Sequence, residues 1–173
     1  MDIVLELLKY TLPALIVFLT AFVLIKGFIR GEERRLEREI SESVRKTILP
    51  MRLQAYERLA LLLERISPES LIMRVNKPNM TATQLHSELL SSIRAEFDHN
   101  LSQQVYISSK AWELIRTARG NIINMINAAS DQVKDDATAI TLSQKIFEQV
   151  VQLKNSPVEE ALEFIKKEIR EFY

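Results

Sequence analysis

The sequence predicts an all-α protein made of a single N-terminal transmembrane helix, a charged helical stalk and a cytoplasmic multi-helix bundle. The first supporting observation is a charge-free apolar stretch from Tyr10 to Ile25. The second is the scarcity of turn-forming residues: after residue 31 the only glycine is Gly120, and the prolines are Pro50, Pro68, Pro78 and Pro157. Apolar and polar residues rarely alternate, which favours helices over strands throughout.

Residues 1–30 are expected to form a membrane anchor. The apolar stretch is bracketed by Lys9 and Lys26, and with both lysine side chains reaching the interface such a helix covers about 30 Å of hydrocarbon. A buried core helix is one alternative, but core helices rarely run this long without a polar face. A cleaved signal peptide is the other, but it has a basic start, whereas this chain begins with Asp2 and Glu6.

Basic residues flank the apolar stretch mainly on its carboxyl side: Lys26, Arg30, Arg34, Arg35 and Arg38. Lysine and arginine are retained on the cytoplasmic side of a membrane, so we expect the N-terminus outside and the C-terminal domain in the cytoplasm, at the inner membrane. The chain has no cysteine, which excludes a disulfide-stapled exported domain and fits a reducing compartment.

Residues 31–50 are expected to form a juxtamembrane helical stalk. Arg35 and Glu39 are one of several oppositely charged pairs at helical contact spacing, which indicates a surface that faces water. Pro50 is expected to kink or break the helix, because proline lacks the N–H that a helix interior needs. The stalk also carries an apolar stripe formed by Leu36, Ile40, Val44 and Ile48. This stripe has no evident cover within the chain, so we expect it to bind a protein partner or a second copy of the chain; packing against its own bundle is the alternative.

Residues 51–173 are expected to form the bundle, and local signals mark where its helices begin. Ser156-Pro157 places a serine at the N-cap and a proline at the first helical position. Thr81 and Gln84 have the spacing of a capping box, in which each side chain bonds the other residue's backbone N–H.

A helix break is expected between Asn100 and Ser109. Tyr106 lies within this break and Trp112 follows it. Aromatic side chains are enriched in protein interfaces, so these two residues are the second candidate interaction surface.

Signatures of catalysis and of metal binding are sparse. Glu96 and His99 form one Glu-x-x-His pair, but di-iron bundles require a second such pair and two further glutamates. With few glycines and no cysteine, the chain has neither a phosphate-binding loop nor a thiol nucleophile. We therefore expect no enzyme activity, cofactor or metal. Lys plus Arg equal Asp plus Glu at 23 each, which argues against a nucleic-acid partner.

Three stretches resemble an uncharacterised family of short single-pass bacterial membrane proteins: QAYERLALLLERISPESL, EFDHNLSQQVY and EEALEFIKKEI. The resemblance covers nearly the whole chain. It implies a one-domain bacterial protein without an assigned activity, and it transfers no site residues. The anchor and charged helix are also similar in architecture to the peripheral-stalk b subunit of rotary ATP synthases, although that family has a continuous stalk and this chain carries Pro50, Pro68 and Pro78.

The function expected from these observations is that of a non-catalytic, membrane-tethered helical adaptor or scaffold. It would act through protein–protein contacts on the cytoplasmic face, with the lipid bilayer and an unidentified protein as partners and with self-association through the stalk. Two alternatives stay open at this point: an accessory subunit of a larger membrane complex, and a helical-bundle enzyme or metal-binding domain with a dispersed site.

Overall fold

The computed structural model describes residues 2–153 and 156–171, and within the first helix it leaves out the side chains of residues 2–14, 33, 34, 36–38, 40 and 41. The α-helices are α1 (Asp2–Ile66), α2 (Pro68–Val75), α3 (Ala82–Asn100), α4 (Ser109–Ser130), α5 (Ala139–Gln152) and α6 (Pro157–Arg170), with a 3₁₀ helix (Leu101–Val105) after α3. The predicted all-α class is confirmed. Between Asn100 and Ser109 the 3₁₀ helix replaces the α-helix, as the sequence predicts.

The chain divides into two compact units, Met1–Leu49 and Pro50–Tyr173. Of the kink or break predicted at Pro50, the break is wrong, because α1 continues through this residue to Ile66, and the kink stays a prediction. A proline removes only one helical hydrogen bond, and the turns on either side keep theirs. The predicted boundary at residue 30 stays a prediction.

The predicted transmembrane anchor over residues 1–30 is wrong. In the part of the chain that the structure describes, no helix is both long enough and apolar enough to cross a bilayer. The prediction depended on residues 10–14, whose side chains lie outside the described ones. From Leu15 the charge-free run ends at Ile25, and Lys26, Arg30 and Glu32 follow. The single-pass, inner-membrane localisation with the N-terminus outside is corrected with it.

One hydrophobic core holds the second unit together. Helix α4 packs against α3, α5 and α6, and α2 packs against α3 and α5. The buried side chains recur every three or four residues, which gives each helix one apolar face. The largest are Tyr56, Leu59, Leu62, Leu63 and Ile66 of α1, Leu71 of α2, Leu85, Leu89 and Ile93 of α3, and Ile115, Ile122 and Ile126 of α4.

Helices α3 and α5 begin side by side on a short backbone bridge. Thr81 and Thr138 form an isolated antiparallel bridge, flanked by hydrogen bonds from the Ala82 N–H to the Ala137 carbonyl (2.8 Å) and from the Ala139 N–H to the Met80 carbonyl (3.0 Å). Both threonines are N-caps, because each hydroxyl accepts a hydrogen bond from an N–H in the first turn of its helix. The bridge therefore fixes the first turns of two helices at once.

The predicted capping box of α3 is confirmed. The Gln84 N–H donates to Thr81 Oγ1 (3.2 Å), and the Thr81 N–H donates to Gln84 Oε1 (3.1 Å). Thr81→Ala is expected to lower the free energy of unfolding by about 1 kcal/mol, since one N–H loses its acceptor. Urea denaturation followed by circular dichroism measures the change. Thr117→Ala, at an exposed position inside α4, is the control, and an equal loss there would contradict the capping argument.

Candidate interaction site

An apolar stripe on α1 changes from exposed to buried along the helix. Val44, Ile48 and Met51 are between 46% and 51% exposed, whereas the next residues of the stripe, Ala55 and Leu59, are 1% and 0% exposed. The bundle covers Ala55 and Leu59. In the first unit, the exposed part of the stripe is formed by Val44 and Ile48, which are about one helical turn apart.

The remaining predicted stripe residues, Leu36 and Ile40, lie in α1, but their side chains are outside the described ones. The predicted pair between Arg35 and Glu39 forms at 3.0 Å, and both side chains are well exposed. An exposed pair of this kind stabilises a helix by only about 0.2–0.5 kcal/mol. Further towards the N-terminus, the large apolar side chains from Leu15 to Ile29 are exposed as well.

Tyr106 and Trp112, the second candidate surface, have different environments. Tyr106 is exposed, and its carbonyl oxygen accepts a hydrogen bond from Arg52 Nε at 3.0 Å, which attaches the end of the 3₁₀ helix to α1. Trp112 is half-buried and stacks on Phe97 with ring centroids 5.2 Å apart. The guanidinium of Arg119 also lies over the Phe97 ring, at 4.2 Å. Trp112 therefore contributes to the α3–α4 contact, and a partner contact for either aromatic stays a prediction.

A polar cluster joins α1, α4 and α6. Ser108 Oγ accepts from the Ala111 N–H (3.1 Å) as the N-cap of α4, and it donates to the Glu168 carboxylate (3.0 Å). Burial raises the pKa of Tyr56 to about 12 from its ordinary 10.0, and the Glu168 carboxylate beside it adds to the rise, whereas Arg52 opposes it. The side chain of Tyr56 is fully buried. This cluster holds three helices together around a neutral phenol.

The carboxylate of Glu96 bridges two arginines from other helices. Glu96 Oε1 lies 3.0 Å from Arg65 Nε at the end of α1, and Oε2 lies 3.6 Å from Arg74 Nη1 at the end of α2. Arg74 Nη2 also donates to the Arg65 carbonyl at 3.2 Å. The glutamate of the Glu-x-x-His pair thus holds α1 and α2 against α3. Its partner His99 lines an open cleft beside Arg58.

The described residues include no group of three or more histidine, aspartate or glutamate side chains placed to hold a metal ion. The other histidine, His86, shares a hydrogen bond with Asn127 Oδ1 at 2.8 Å and so links α3 to α4.

Sequence reasoning missed Arg65 and Arg74. Their partner lies on α3, far away in the chain, so helical spacing cannot pair them. The one available signal was that each is a basic residue in the last turn of its helix, where the helix dipole also favours it.

Several open clefts lie on the bundle. Two of them, of about 420 and 340 Å³, flank Glu96 and share Arg65 and Ala95. A groove of about 510 Å³ between α2, α4, α5 and α6 has an apolar floor and an acidic rim formed by Glu159, Glu160 and Glu163. The described lining residues of the groove include only acidic charges, whereas the two clefts beside Glu96 are lined by arginine and lysine as well as glutamate.

The fold and these surfaces define an all-α protein with a long first helix, a bundle of shorter helices and open, charged clefts. Residues 2–172 match the profile described as "Family of unknown function (DUF7935)", and the chain belongs to that family. The predicted resemblance to an uncharacterised family is thereby confirmed. The architectural similarity to the ATP synthase b subunit is not confirmed. No curated protein and no solved structure matches the chain.

Proposed function

We propose that the protein is a non-catalytic helical adaptor or scaffold that acts through protein–protein contacts. The observation that carries the proposal is the apolar face of α1 in the first unit, where Val44 and Ile48 are 50% and 46% exposed. Burying apolar surface contributes roughly 25 cal/mol per Å², so an exposed apolar helix face favours a further protein surface against it.

A second copy of the chain is the occupant that the sequence of the stalk favours. Apolar residues recur there at steps of four, which gives one helix face to pack against another. The charges between residues 32 and 46 balance, so two copies do not repel each other. They are Glu32, Glu33, Glu37, Glu39 and Glu42 against Arg34, Arg35, Arg38, Arg45 and Lys46.

Single cysteines test the self-association, because the native chain has none. Val44→Cys and Ile48→Cys are expected to form disulfide-linked dimers under mild oxidation of the purified full-length protein, since facing stripes bring equivalent residues close together. Non-reducing electrophoresis measures the dimer fraction. Lys46→Cys is the matched control, because it lies two residues, or about 200°, around the helix from Val44.

The proposal fails if Lys46→Cys cross-links as readily as the two stripe variants, or if no variant forms a dimer at any concentration. Val44→Asp combined with Ile48→Asp gives an independent readout. A desolvated carboxylate in the contact is costly, so sedimentation should show a monomer for this variant.

A further inference from the structure

The two clefts that flank Glu96 share Arg65, Ala95 and Glu96, so they adjoin each other and make up one surface along α3. We name it the arginine trough. Residues from α1, from the end of α2 and the loop after it, and from α3 line it. Its arginine, lysine and glutamate residues are Arg58, Arg65, Arg74, Lys77, Glu88 and Glu96.

The trough is positive, whereas the chain as a whole is neutral. It holds four permanent cations and two carboxylates, a local charge of 4 − 2 = +2, against a net charge of +0 for the sequence. The groove between α2, α4, α5 and α6 is lined by three glutamates and, among the residues that the structure describes there, by no lysine or arginine. An anionic partner is therefore attracted to the trough.

Glu96 fixes the two central arginines in place before any ligand arrives. It holds one nitrogen of each guanidinium, and its own side chain is only 17% exposed. Arg65 and Arg74 nevertheless stay 46% and 35% exposed. Each guanidinium has five N–H donors, so donors remain for an incoming carboxylate. Side chains that are already ordered lose less entropy on binding.

We propose that the arginine trough binds a short acidic peptide segment of a partner protein. The proposal rests on the adaptor function above and gives the adaptor a second binding surface. The trough follows α3 from Glu88 to Asn100, about 18 Å at 1.5 Å per residue, which accommodates roughly five residues of extended peptide. A single phosphate would occupy only a small part of this length. Leu61, which is exposed at the Arg58 end, supplies an apolar contact.

Fluorescence anisotropy with a labelled hexapeptide of one leucine and five glutamates tests the proposal on the full-length protein. Arg58→Gln and Lys77→Gln are each expected to weaken binding about fivefold at low salt, because each removes one cation from the trough. Lys110→Gln is the matched control. Lys110 is an exposed lysine of α4 paired with Glu113, so its loss should leave the affinity unchanged.

Glu96→Gln separates a binding role from a purely structural one. The glutamine amide keeps one oxygen that can accept from the arginines, so their orientation is largely retained, while the loss of one negative charge makes the trough more positive. The affinity should therefore rise about threefold, even if the melting temperature falls. A purely structural role predicts weaker or unchanged binding in this variant.

Three results would overturn the proposal: no saturable binding to the native protein, an equal loss in Lys110→Gln, or no gain in Glu96→Gln. Displacement by millimolar inorganic phosphate, but not by chloride of matched ionic strength, would mark a phosphate site and would also overturn it. Self-association is measured by sedimentation on the same samples, and the variant that combines Val44→Asp with Ile48→Asp is the monomeric reference. If the native protein binds the peptide but shows no self-association, the α1 proposal fails alone; if it dimerises without binding the peptide, the trough proposal fails alone.

Discussion

Leu62→Ala is expected to lower the free energy of unfolding by about 3 kcal/mol. Leu62 is fully buried in the core between the helices, and its removal takes away apolar contacts and leaves a cavity. Close-packed cores relax only partly around such a cavity, which is why truncations of buried leucine typically cost 2–5 kcal/mol. Chemical denaturation monitored by the fluorescence of Trp112, the single tryptophan, measures the loss.

Leu61 is the matched control, because it is the adjacent residue in the same helix and is 56% exposed. Leu61→Ala should change the free energy of unfolding by no more than about 0.5 kcal/mol. Similar losses in the two variants would mean that α1 is rotated relative to the core, or that another surface covers Leu61. Either result would contradict the arrangement described for the second unit.

Alkaline pH is expected to destabilise the protein through Tyr56. Its pKa is about 12 in the folded protein, against 10.0 for an unperturbed tyrosine. Above pH 10 the unfolded chain releases the phenolic proton while the folded protein still holds it. The stability from this group is therefore fully present below pH 10 and is lost as the pH rises towards 12. A single proton gives a slope of at most about 1.4 kcal/mol per pH unit.

Tyr56→Phe isolates this contribution, because lysines also titrate in the same range. The variant should be less stable than the native protein at pH 8 by about 1 kcal/mol, since it lacks the hydroxyl beside Glu168. The difference between the two proteins should shrink above pH 10 and change sign before pH 12, because a loss of up to about 1.4 kcal/mol per pH unit exceeds the initial advantage. Parallel stability curves across that interval would contradict the role assigned to the buried phenol.

Local signals predicted where helices begin. Thr81 and Ser156 are N-caps in the structure, and each accepts a hydrogen bond from the N–H three residues later. Both groups of a cap come from one stretch of chain, so the sequence alone contains the whole interaction. The apolar stripe at Ala55, Leu59 and Leu62 was likewise readable, because its spacing matches a helix face that a core covers.

Features that depend on distant residues were not predictable in the same way. The bridge from Glu96 to Arg65 and Arg74 requires the packing of three helices. Tyr56 and Glu168 interact although they lie more than a hundred residues apart in the sequence. The helix break expected at Pro50 was wrong, because the rule for a single proline does not include the hydrogen bonds of the helical turns on either side.

The bridge between Thr81 and Thr138 links the fraying of two helices that are distant in sequence. The Ala82 N–H finds its acceptor on the loop before α5, and the Ala139 N–H finds its acceptor on the loop before α3. Neither first turn can open alone without leaving an orphaned carbonyl or amide on the other loop. Local opening at this edge of the bundle is thus a concerted event, and the two helices share one cooperative unit at their amino ends.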